Sequence, residues 1–189
     1  MGIIRLRRPS PEQLAAIALD AHDGALTYDE VGGTLAGAAP SGFHHIATQV
    51  ELGRGADIFD AASEALRGWA PQRGSGLVVA EGAALVEGSV VALAAPIPVG
   101  FVLVVCRIVA VIDQPSRFGF AYGTLGRHPE SGEELFVIER SEDDTVRFRI
   151  EAFSRPHSIL VRLAGPIGRR MQAKATQDYL DAMCRAIGG

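Results

Sequence analysis

Cysteine is nearly missing from this 189-residue chain: only Cys106 and Cys184 occur, far apart and each in an apolar segment. That excludes a disulfide scaffold and the spacing of a zinc motif, so both are expected to be buried, reduced thiols. A basic excess is also missing. Lys and Arg total 18 against 22 Asp and Glu, a net charge of −4, which argues against nucleic acid or anionic lipid as the main partner. No leader is expected at the start, because Arg7-Arg8 runs into Pro9-Ser10-Pro11-Glu12 rather than an apolar stretch. Leu6 stands where a myristoylation signal needs Ser or Thr. A cytoplasmic location is the expectation. No serine has glycine two residues to either side, and the clusters Gly32-Gly33 and Gly53-Arg54-Gly55 lack dinucleotide or P-loop spacing. No cofactor is expected. Internal repeats and low-complexity tracts are absent as well.

One long apolar run, Val90 to Ile112, has the length of a membrane span. Pro96, Pro98 and Gly100 interrupt it, Arg107 charges its far part and valine dominates, a combination that predicts two strands joined by a turn. No membrane span is expected. A chain of this size can bury roughly 70% of its unfolded surface in one core. Residues 1–25 are read as a short helical extension, and 26–189 as a single domain.

Ser10-Pro11-Glu12-Gln13 carries an N-cap serine, proline at the first helical position and a capping-box glutamine, so a short helix begins there and ends near His22-Asp23-Gly24. Gly32 to Gly42 is too poor in large side chains to be core and reads as an irregular surface connection. From Phe43 to Leu52 the residues alternate, placing His44, Ile46, Thr48, Val50 and Leu52 on one face of a half-buried strand. Ile58, Phe59, Ala62, Ala65, Leu66 and Trp69 then follow a helical period that Pro71 ends. The next segments, 77–80, 89–95, 101–112, 117–124, 134–140 and 145–154, are strand-like and separated by turn residues, which predicts an antiparallel meander. A four-residue link at Ser141-Glu142-Asp143-Asp144 would set Leu135 and Val137 beside Ile150 and Phe148, with Arg147, Arg149 and Glu151 on the other face. After Gly165-Pro166, the apolar positions Ile167, Met171, Ala175, Tyr179, Ala182, Met183 and Ile187 recur every three or four residues, marking a helix roughly 33 Å long.

This order predicts an α+β fold, in which a curved antiparallel sheet grips the long C-terminal helix and follows a short N-terminal helical extension. A helix laid across a bent sheet leaves an apolar hollow with a few polar groups, the usual form of a small-molecule site.

Phe120-Ala121-Tyr122-Gly123-Thr124-Leu125 and His128-Pro129-Glu130-Ser131-Gly132-Glu133-Glu134 resemble the domain-of-unknown-function family nineteen-ninety. The resemblance extends to Ala152-Phe153-Ser154-Arg155-Pro156, Tyr28-Asp29-Glu30-Val31-Gly32 and Leu52-Gly53-Arg54-Gly55. The family is itself similar to the helix-grip superfamily of START-like and pollen-allergen-like domains, which implies enclosure of an apolar ligand. The alanine-rich N-terminal extension departs from that pattern.

Candidate ligand contacts follow from polar groups on apolar faces. Tyr122 ends an aromatic wall with Phe118 and Phe120 and offers a hydroxyl to orient a mostly apolar ligand. Phe148 from the last hairpin and Met171 from the terminal helix complete the expected lining. His44 shares the face of Ile46 and can act as donor or base, whereas the pair His44-His45 points to opposite faces and holds no metal unaided. Glu133 and Glu134 follow a glycine at a strand start, as a solvated or salt-bridged edge or, if desolvated, as general base. Arg107, alone in an apolar strand, must reach water, a carboxylate such as Glu134 or an acidic ligand headgroup, and is the favoured anchor. Arg155 is expected to fix its loop, and Arg169, Arg170 and Lys174 to form a solvated patch. The function expected is the binding of a small apolar or amphipathic molecule. The alternatives are an enzyme using Tyr122, His44 and Glu134 as donor and base, or a protein-interaction module.

Overall fold

Alternation and helical period become twelve elements in the computed structural model, which describes residues 4–37, 40–126, 128–156 and 165–188, the side chains of 165–171 excepted. They are β1 (Ile4–Arg5), α1 (Pro11–Asp20), β2 (His44–Arg54), α2 (Ala56–Arg67), α3 (Ala70–Gly74), β3 (Val78–Val79), β4 (Val90–Ile97), β5 (Gly100–Gln114), β6 (Arg117–Thr124), β7 (Glu130–Arg140), β8 (Thr145–Pro156) and α4 (Gly165–Ile187). The strands form one curved antiparallel sheet in the order β2-β8-β7-β6-β5-β4-β3, with β1 beside the start of β5. Six consecutive strands therefore meander, and β2 closes onto β8. The run from Val90 to Ile112 folds back between Ile97 and Gly100 into β4 and β5. Among the described residues no helix is long and apolar enough to cross a membrane.

Each face of the sheet has its own cover. On one, Phe118, Phe120, Phe136, Ile138, Phe148 and Ile150 pack with Trp69 and with Tyr179, Leu180 and Met183 of α4. On the other, Leu14, Ile17 and Ala18 of α1 lie over Ala92, Ala94, Leu103, Val105 and Leu125. The Ser10 capping box closes as expected, with Ser10 N–H donating to Gln13 Oε1 at 2.9 Å.

Three details depart from the sequence reading. In the last hairpin Asp144 adopts φ 63°, and the Ser141 N–H donates to the Thr145 carbonyl, which shortens the link to three residues. Phe136 and Ile138, not Leu135 and Val137, thus stand beside Ile150 and Phe148, while Leu135 and Val137 join the opposite face. One residue of slip exchanges the faces of a whole strand. Trp69 leaves the helical period at φ 62°, and Pro71 opens α3 instead of only ending α2. The strain is held because the indole N–H donates to the Ala83 carbonyl at 3.1 Å and the ring lies 5.0 Å from Phe120. Of the two free thiols, Cys106 is buried and Cys184 only half-buried, on the flank of α4.

The described part of the Gly/Ala-rich connection is a series of turns, and Glu133 ties it down. This carboxylate is neither solvated nor ion-paired among the described residues. It is 2% exposed on the face away from α4 and accepts from Tyr28 Oη (2.7 Å), Gly32 N–H (2.8 Å), Thr34 N–H (3.1 Å) and Thr34 Oγ1. Tyr28 passes so close to β6 that a Cβ on Gly123 would lie 2.2 Å from its hydroxyl oxygen. Gly123→Ala is accordingly expected to cost about 1–3 kcal/mol by overpacking. Chemical denaturation checks it, and a loss below about 0.5 kcal/mol would show that the 26–37 segment gives way freely.

Candidate functional site

The pairing register lays side chains in rows under α4. Ile46 on β2, Ala152 on β8, Glu134 on β7, Tyr122 on β6 and Ile108 on β5 form one row, and His44, Ser154 and Gly132 begin the next. Within the first row Tyr122 Oη donates to Glu134 Oε2 at 2.8 Å. Burial pushes the Glu134 carboxyl up to about 7. The Tyr122 hydrogen bond opposes the rise and the charge of Glu130 adds to it. The hydroxyls of Tyr122 and Tyr179 are raised too, by burial first and by the charge of Glu134 next, and burial likewise raises the Cys106 thiol.

Glu130 enters the same face from four residues earlier on β7. Gln172 of α4 bridges it to β8, with Nε2 at 3.3 Å from Glu130 Oε2 and 2.8 Å from Ser154 Oγ. Burial raises the Glu130 carboxyl, against the pull of Ser154 and of nearby His44. The result is a polar strip of two carboxyls, two phenols and an amide between sheet and helix. Beside it, where the helix crosses the edge of the sheet, a groove of about 380 Å³ is lined by His44, Ile46 and Thr48 of β2 and by Ala173, Thr176, Gln177 and Leu180 of α4. A second hollow, of about 440 Å³, lies elsewhere, between the segment before α1 and residues of α3 and β3.

The expected contacts divide accordingly. Tyr122 and Glu134 meet, and His44 lines the groove. His44 nevertheless stands two strands away from Glu134, about 10 Å at ordinary strand spacing, so the three do not converge on one point. Phe120 and Phe148 are fully buried, stacked through Phe136 at 5.4 and 6.3 Å, and belong to the core rather than to the groove wall. Arg107 is on the other face. A bulge near Val109 sets Ile108 rather than Val109 beside Tyr122 and so turns Arg107 away from α4, where its guanidinium donates to the His22 carbonyl after α1. The Met171 side chain lies outside the described residues, as do those of Arg169 and Arg170. His45 faces Glu151 at 3.3 Å, away from His44, and among the described residues no group of His, Cys, Asp or Glu could hold a metal. Arg155 lies with its guanidinium 4.5 Å from the Phe43 ring centre, and Lys174 pairs with Asp178 on its own helix.

Sequence reasoning does not single out Glu130, Ser154, Gln172 or Tyr179 as site residues. For Glu130 the signal was present, since four residues is an even strand separation from Glu134. It was hidden because His128-Pro129 reads as a turn, and the strand begins at Glu130, earlier than its apolar alternation.

The family described as Domain of unknown function (DUF1990) matches residues 27–182. The chain belongs to this family. The DUF1990 match spans the segment tied by Glu133, the whole long-stranded part of the sheet and most of α4. A UPF0548 protein of Deinococcus radiodurans is 30% identical over 97% of this chain and 98% of its own, and one of Dictyostelium discoideum is 28% identical over 96% and 94%. Solved structures share the fold at low identity. A hypothetical protein from Helicobacter pylori has TM-score 0.57 at 10% identity, covering 86% of this chain and 96% of that one. Ara h 8.0201 has TM-score 0.51 at 14% identity over 77% and 98%, and an uncharacterized protein from Bacillus thuringiensis has 0.54 at 17% over 77% and 100%. The DUF1990 chain thus has the helix-grip architecture of Bet v 1-like proteins.

Proposed function

We propose that this protein holds a small apolar or amphipathic molecule in the groove between β2 and α4. The observation that carries the reading is the groove itself, whose volume of about 380 Å³ falls in the range of small-molecule sites. Ile46 and Leu180 supply apolar wall, while His44, Thr48 and Thr176 offer hydrogen bonds. The two free thiols suit a reducing, cytoplasmic setting.

Ala173 is exposed on the groove side of α4, so a large side chain there fills the groove without entering the core. Native mass spectrometry of protein purified from its own host should show a retained mass that Ala173→Trp loses. An apolar fluorescent probe should bind that variant at least ~10-fold more weakly. Equal binding of the probe by both proteins would place any site elsewhere.

The pair Tyr122–Glu134 supports a second reading, proton transfer on the bound molecule, because a carboxyl near 7 beside a phenol can give or take a proton at neutral pH. Under that reading Glu134→Gln keeps the bound molecule and loses its turnover.

A further inference from the structure

Inward of the groove's lining, the helix side of the sheet is built of small residues. Inward from His44 and Ile46, the next side chains on the helix side are those of Ser154 and Ala152 on β8, and then β7 presents Gly132, with no side chain, and Glu134. Small residues thus floor a path about two strand spacings long, roughly 10 Å, from the groove to the polar strip. Over that path the Gln172 amide reaches down to Ser154 and Glu130, with buried Thr176 one turn further along α4.

Among the described residues, the side chains at the inner end of the path that can carry charge are the carboxyls of Glu130 and Glu134. Tyr122 donates to Glu134 and Gln172 to Glu130, which leaves acceptor capacity on both carboxyls. Among the described residues no Lys or Arg is ion-paired with either. Other titratable groups near them are Tyr179, the Cys106 thiol, His128, whose ring meets the Glu130 backbone, and, at the groove mouth, the exposed His44. A fatty acid would bring a third carboxylate to two others, and an alcohol would leave their charge unmatched. A protonated amine supplies both donors and charge, which a carboxylate pair in a partly dry site favours strongly.

We infer that the molecule held in the groove is an amine with an apolar body, its tail between β2 and α4 and its ammonium group at Glu134 and Glu130. This rests on the groove reading above and adds the chemical class of the ligand. Gln172 then acts as the side chain that an entering ammonium displaces from Glu130.

Three probes of equal chain length separate the possibilities: decylamine, decanol and decanoic acid, each titrated calorimetrically into the full chain. Decylamine should bind at least ~10-fold more tightly than decanol, and decanoic acid most weakly. In the double variant Glu130→Gln/Glu134→Gln the amine should fall to within ~3-fold of the alcohol, with the alcohol unchanged. Ala152→Leu, which blocks the path and keeps both carboxyls, should remove the same preference while decanol still binds. Decanol binding as tightly as decylamine in the unaltered protein, or decanoic acid tightest, would overturn the amine assignment and leave the groove reading intact. Binding of none of the three would bring down the groove reading and this assignment together.

Discussion

Glu133→Ala is expected to destabilise the protein by about 3–5 kcal/mol, the scale of breaking a buried charged contact. Truncation leaves the Tyr28 hydroxyl, the Gly32 and Thr34 amides and the Thr34 hydroxyl without their acceptor, at a residue only 2% exposed. Hydrogen bonds to a charged acceptor contribute more than neutral ones, but four that share one carboxylate do not add independently. Urea denaturation measures the loss, and limited proteolysis between Gly32 and Gly37 should become fast in the variant. Glu133→Gln should lie between the two proteins, because its amide keeps one acceptor oxygen and turns an NH2 toward donors. A stability change under about 1 kcal/mol for the alanine variant would show that the connection is held by something other than this carboxylate.

The second large effect is a dependence on pH located at Glu134. Its carboxyl titrates at about 7 in the folded protein and near the ordinary 4.5 once unfolded, because burial disfavours the charge. The folded state therefore holds its proton more tightly than the unfolded chain. That contribution to stability is fully present below about pH 4.5, is lost as pH rises through 7, and is constant beyond. A shift of this size corresponds to about 3 kcal/mol across the window. Glu130, raised in the same direction, adds to the slope. Denaturation midpoints of the wild type and of Glu134→Gln, compared from about pH 5 to about pH 8, should diverge, with the variant the more stable at the alkaline end. Parallel curves would mean that Glu134 is solvated in the folded protein and would also weaken the case for proton transfer at this position.

Much of the architecture was legible because it is local. The Ser10 capping box, the alternation from His44 to Leu52, the prolines that split Val90–Ile112 and the period of the last helix are all written within a few residues of each other. Part of the site was legible for the same reason, since Tyr122 shares a strand face with Phe118 and Phe120, and Glu134 is polar amid apolar alternation. Glu133 and Arg107 were misplaced because each looked, from its neighbours, like a charge that needs water or an opposite charge. The structure gives Glu133 hydrogen-bond donors from a segment about a hundred residues away, and gives Arg107 a backbone carbonyl at the end of α1.

The sequence by itself determined the long strands and helices, though not β1, α3 or the start of β7, that the strands run as a meander, and that one long helix is available to cover them. It determined as well that Glu134 and Tyr122 are polar groups within apolar strands. Only the tertiary structure decided which of them meet. A left-handed Asp144 and a bulge near Val109 each shift phase by one residue, and in a strand one residue is the difference between the two faces. The groove, too, exists only where α4 crosses β2, between residues more than a hundred positions apart, so no local pattern could have announced it.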